Sequence, residues 1–117
     1  MNAARRVFII NNSGHDFSHA LPYGTPVFVT QDRVPKFNLT AMLRMFKEAF
    51  STSTPDDYIL LTGPLVMNVV AGAYFAHKHG RLNLLLYHAD REGNDRYISR
   101  KLVFSNGDAH VEKEGEE

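Results

Sequence analysis

The chain has 117 residues, with 13 Lys plus Arg against 13 Asp plus Glu and 44% hydrophobic residues, the make-up of one ordinary globular domain. With no cysteine it has no disulfide framework, thiolate zinc site or cysteine nucleophile, which suits a reducing cytoplasm. No stretch approaches the ~18 apolar residues of a membrane span, and Val7 to Ile10 is too short an apolar run for a signal peptide, so a cytoplasmic protein without a membrane partner is expected.

Neutrality hides an uneven distribution. Glu112 to Glu117 holds four acids and one base, leaving the body with 12 bases against 9 acids. That excess is too small for a duplex nucleic-acid surface. Arg91, Arg96, Arg100 and Lys101 cluster near one hairpin and read as a charged, solvated edge strand. Residues 1–111 are expected to form the domain, and 112–117 a disordered acidic tail.

Val7 to Ile10 is a continuous apolar run, a strand buried on both faces. Asn11 to Gly24 is barely long enough for a parallel return, with room for about two helical turns around Asp16 to Leu21. Val27 to Thr30 is the second strand, entered through Pro26. Leu39, Met42, Leu43, Phe46, Ala49 and Phe50 fall on one helical stripe, capped by Asn38. Tyr58 to Thr62 is a third buried strand.

Gly63 and Pro64 open the most apolar helix, with Pro64 at its first helical position and Gly80 as its stop. Its residues from Leu65 to Ala76 are apolar almost all round, so it must be covered on more than one side, and a homodimer is expected from that. Asn68, Gly72 and Ala76 give it a polar-to-small stripe where another backbone can approach. Leu82 to Tyr87 is the fourth strand, and the turn at Asp90 to Asp95 leads into an antiparallel edge strand, Tyr97 to Phe104. The alternation predicts an α/β fold: a small Rossmann-like three-layer sandwich with a mainly parallel sheet of order 2-1-3-4 and an antiparallel C-terminal edge strand.

In such sheets ligands bind outside the carboxyl ends of the strands. Those ends carry Asn11, Asn12, Ser13, Gly14, His15 and Asp16, then Gln31 and Arg33, then Thr62 and Gly63, and His88. Thr62-Gly63 turns a strand directly into a helix and aims free amides and a positive dipole end at the crevice, which suits a phosphate; Asn68 lies one turn into that helix. Asn12-Ser13-Gly14 offers a second cradle of amides. No Walker A loop or three-glycine dinucleotide fingerprint is present. His15 and His19 have zincin-like i, i+4 spacing, but the segment has little room for helix and no evident third ligand, so no metal or other cofactor is expected. Any catalysis falls to His15 as acid or base, beside Asp16.

Tyr58 to Gly80, a buried strand ending in Thr62-Gly63 before an Ala/Val-rich helix, resembles the same unit of CARF-type domains, Rossmann-like sensors of cyclic oligonucleotides. Pro64 stands where that family usually continues with glycine and a polar residue. The chain also has the character of a stand-alone phage-type protein, and together these resemblances imply capture or degradation of a nucleotide signal. The expected function is therefore binding, with sequestration or processing, of a nucleotide or other phosphorylated small molecule at the strand ends. The alternatives are a non-enzymatic protein–protein interaction module and a small His-dependent phosphodiesterase or hydrolase.

Overall fold

The computed structural model describes residues 4–12, 14–31 and 37–113. The elements run β1 (Arg6–Asn12), a 3-10 helix (Ser18–Tyr23), β2 (Thr25–Gln31), α1 (Leu39–Ala49), β3 (Tyr58–Leu60), α2 (Leu65–His79), β4 (Arg81–Ala89), β5 (Asp95–Ser105) and β6 (Asp108–Glu112). They form an α/β domain on one mixed six-stranded sheet of order β2-β1-β3-β4-β5-β6. β2, β1, β3 and β4 are mutually parallel, and β5 and β6 follow antiparallel.

The first connection is parallel because the 3-10 helix, rising further per residue than an α-helix, spans the return in six residues. β1 alternates between two cores. Phe8 and Ile10, with Ile59 of β3, pack under both α-helices against Met42, Phe46, Phe50, Met67, Ala71 and Phe75. Val7 and Ile9, with Tyr58, Leu60, Leu85 and Tyr97, face the other way and are covered by Ala20, Phe17 and Tyr23 in and beside the 3-10 helix. The two α-helices thus share one face, and the opposite face carries this shorter element.

Four details depart from expectation. β5 is an interior strand: the edge is β6, which pairs with it from Lys101↔Glu112 to Ser105↔Asp108. A two-residue turn with Asn106 and Gly107 at positive φ makes this hairpin possible, and Glu112 accepts a bidentate bond from Arg81 at 3.1 Å instead of opening the tail. Residues 114–117 lie outside the described residues. Pro64 precedes α2 as its cap residue, because its ψ of 138° is extended. The basic cluster is divided: strand alternation puts Arg96 and Arg100 on the helix face and Lys101 on the other, over the Tyr58 ring at 5.7 Å. Finally, the small stripe on α2 meets β4, where a Cβ on Gly72 would stand 3.4 Å from Leu82.

At the end of the sheet away from the strand carboxyl termini, His79 closes α2 onto the loop after α1. Its Nε2 lies 2.7 Å from Ser53 Oγ, and Ser53 Oγ donates to the Phe50 carbonyl at 2.8 Å. Burial, then the neighbouring Lys78 charge, holds the His79 pKa below the ordinary imidazole value, against an opposing pull from Asp57. The fold therefore favours neutral His79. That contribution is full above the unfolded pKa of about 6.5 and is lost as pH falls through the lower folded value. The thermal midpoint is expected to fall between pH 7.5 and pH 5, and to fall less in His79→Gln; identical slopes in the two proteins would refute this.

Candidate functional site

β1, β3 and β4 run parallel, so their carboxyl ends open on one edge of the sheet, and the β4–β5 hairpin extends past it. A cleft of about 350 Å³ lies at this edge on the 3-10-helix face, lined by His15, Asp16 and Phe17 after β1, Leu60, Leu61 and Thr62 at the end of β3, Tyr87 on β4, and Asp95 and Tyr97 on β5. The β4–β5 register pairs Tyr87 with Tyr97 and Ala89 with Asp95, so Tyr87, Asp95 and Tyr97 project from the same side as the buried Leu85.

Tyr87 is 60% exposed and meets the 8%-exposed Tyr97 edge to face at 6.0 Å. Tyr23 donates to the Tyr97 carbonyl at 3.1 Å and holds that strand against the 3-10 helix. Phe17 stands 5.8 Å from Phe28 and 6.3 Å from the His15 ring. The walls are therefore aromatic, with Tyr97 buried behind the more exposed Tyr87.

The field in the cleft is negative. The Ser18 amide donates to Asp16 Oδ1 at 2.9 Å, and this bond, then the Ser18 hydroxyl and the field of His19, lowers the Asp16 pKa against a smaller effect of burial. Tyr87 is raised above the ordinary phenol value, first by its hydrogen bond to the Asp95 carboxylate, then by burial and by the Asp95 charge. Tyr97 is raised by burial first and then by Tyr87, Asp16 and Asp95. Among the described residues the lining holds two carboxylates and neither Lys nor Arg.

Three of the sequence candidates, His15, Asp16 and Thr62, line this cleft. Others have local work. Asn11 is buried, its Nδ2 donating to Thr30 Oγ1 at 2.9 Å while Thr30 donates to the Ile10 carbonyl at 2.7 Å. Asn12 Oδ1 accepts from the Gly14 amide at 3.3 Å, so an amide expected in a second anion cradle is used within its own loop. Asn68 braces the strand-to-helix turn: its Oδ1 accepts from the Thr62 amide at 3.0 Å, and its Nδ2 donates to the Thr62 and Pro64 carbonyls at 3.1 and 2.8 Å. Gln31 is exposed at the end of β2 beside Asn12, and His88 is exposed on β4 opposite Arg96. Ser13 and Arg33 lie outside the described residues.

Gly63 has φ +86°, and a Cβ there would stand 2.5 Å from Asn11 Cβ. Valine at 63 would damage the turn itself. The exposed residues Leu65 and Val66 follow, at the amino end of α2. His15 and His19 do not share a helix, since the 3-10 helix begins at Ser18, and the His19 ring contacts the Asp95 carbonyl. Among the described residues, no three His, Cys, Asp or Glu side chains are grouped to hold a metal ion, and no helix is long and apolar enough to cross a membrane.

Phe17, Tyr87, Asp95 and Tyr97 were missed as site residues by sequence reasoning. The available signal was the alternation Tyr87-x-Ala89 and Asp95-x-Tyr97 flanking a turn, which places aromatic and acidic side chains on one face of a hairpin.

Residues 5–102 match the profile of a family described as phage Pam3 gp32-like protein. No curated protein and no solved structure matches. The resemblance of Tyr58 to Gly80 to CARF-type domains has no counterpart in these comparisons.

Proposed function

The chain belongs to the phage Pam3 gp32-like family, and from that premise we propose that it binds a nucleotide-type phosphorylated ligand at the carboxyl ends of its parallel strands. The observation that carries the reading is the aromatic cleft beside Thr62, next to the amino end of α2. A planar base stacks on such rings, and the phosphate, repelled by Asp16 and Asp95, turns outward to the Thr62-Gly63 turn and the α2 dipole. The strand order and the strand-end site fit a Rossmann-like domain, and a cytoplasmic location is part of the same proposal.

Leu65 is 78% exposed at the first position of α2, so a carboxylate there tests the phosphate subsite without touching the core. Leu65→Glu is expected to weaken nucleotide binding several-fold by calorimetry and to raise stability by about 0.5 kcal/mol, because acids favour helix amino ends. Unchanged affinity in the folded variant would remove α2 from the site. His15 lines the same cleft, so chromatography of the equilibrated mixtures reads any turnover: intact nucleotide supports binding alone, and products that disappear in His15→Ala support a hydrolase.

A second reading has its own observation. Leu43 and Lys47 of α1 and Val69, Val70, Ala73, Tyr74 and His77 of α2 line an apolar groove of about 500 Å³, with Val69 61% exposed. This is the face that a second copy would cover in the homodimer proposed here. Light scattering on the same samples gives twice the chain mass if it does and the single-chain mass if it does not.

A further inference from the structure

We propose that the cleft between Asp16 and Asp95 selects a base presenting two adjacent N–H donors, the guanine type; the inference rests on the nucleotide reading above and names the base. The lining divides into ring faces and acceptors. Phe17 and the exposed Tyr87 supply ring surface, backed by the buried Tyr97, and Asp16 and Asp95 supply carboxylate oxygens, one from the loop after β1 and one from the start of β5.

An ionised carboxylate accepts hydrogen bonds and donates none, with about four lone-pair sites. The described partner of Asp16 is the Ser18 residue, and that of the Asp95 carboxylate is the Tyr87 hydroxyl. Each therefore keeps acceptor capacity beyond that partner. Asp16, an ordinary carboxyl lowered further by its bonds to Ser18, is ionised at neutral pH.

The four bases meet this surface differently. Guanine offers its ring N–H and amino group side by side, two donors to one carboxylate. Adenine and cytosine place a ring nitrogen acceptor beside the amino group, which sets a lone pair against the carboxylate. Uracil flanks its single ring N–H with two carbonyls. An acceptor set against a carboxylate forfeits a hydrogen bond and adds repulsion, so specificity arises from rejection as much as from attraction. Phosphate alone is disfavoured by the same two charges.

Calorimetric titration of the full chain with guanosine, adenosine, cytidine and uridine 5′-monophosphates, and with inorganic phosphate, tests the proposal. The guanine nucleotide is expected to bind about tenfold or more tighter than the other three, within the range for one well-placed paired contact. Asp95→Asn and Asp16→Asn, both at exposed positions, are expected to fold normally. At least one of them should erase the preference by weakening the guanine nucleotide while leaving the adenine nucleotide within about twofold of its wild-type value, inside one RT of binding energy. Equal binding of all four nucleotides would overturn the base selectivity and leave the nucleotide reading standing. Tightest binding of another base, or a preference that survives in both variants, would also overturn the proposal. Binding of none of the nucleotides at millimolar concentration would overturn both readings.

Discussion

Phe50→Ala is expected to lower the unfolding free energy by about 4 kcal/mol, at the upper end for truncation of a buried aromatic ring. Phe50 is fully buried directly after α1 and joins three elements. Its ring meets Phe8 of β1 edge-on at 4.9 Å, Phe46 of α1 in a stack at 5.8 Å, and Tyr74 and Phe75 of α2 at 6.3 and 5.8 Å. Removing it opens a cavity where sheet and both helices converge, and no single neighbour can move in without leaving another contact. A loss this large corresponds to a thermal midpoint roughly 15 °C lower or more. Denaturant titration reads the free energy directly. A loss below about 1 kcal/mol, typical of a surface position, would refute this account of the core.

Asp57→Ala is expected to cost about 3 kcal/mol, for a different reason. Asp57 is 1% exposed, yet its carboxylate is fully engaged: Oδ1 accepts from the Arg6 amide and Oδ2 from the Thr54 amide, both at 2.8 Å, with the Arg6 guanidinium 3.6 Å away. It thereby joins the first residue of β1 to the loop that leads into β3. Alanine leaves two amides without their acceptor, whereas the partly exposed Arg6 guanidinium keeps its bonds to the Thr52 hydroxyl and carbonyl, so the orphaned amides carry most of the cost. Asp57→Asn keeps one oxygen acceptor and should lose less. Arg6→Ala, which retains both amide bonds, should lose least. An Arg6→Ala loss equal to or larger than that of Asp57→Ala in denaturant titration would mean that the Arg6 guanidinium, and not the two amide bonds, supplies the stability.

These two residues differ in how much of their role could be read from the chain. Phe50 completes the i, i+3, i+4 stripe that begins at Leu39, and local periodicity alone marks it as core. Asp57 sits in a Thr-Pro-Asp-Asp turn that reads as an ordinary solvated loop; its partner at Arg6 is 51 positions away, a separation that no local pattern encodes.

The same division runs through the whole protein. Local pattern determined the parallel strands, both α-helices, the Asn38 cap, whose Oδ1 accepts from the Ala41 amide at 3.0 Å, and the order β2-β1-β3-β4, because burial period, capping chemistry and right-handed crossovers act over short stretches of chain. It also brought His15, Asp16 and Thr62 to the strand ends. Only the tertiary structure decided that α1 and α2 share one face, that β6 and not β5 is the edge, that Asn11 and Asn68 spend their amides on bracing, and that the cleft is walled by Phe17, Tyr87 and Tyr97 around two carboxylates. Asp16 and Asp95 are 79 positions apart in the sequence, and what sets them into one cleft is the register of β4 on β5 and the packing of the 3-10 helix, relations between distant segments that composition and periodicity do not contain.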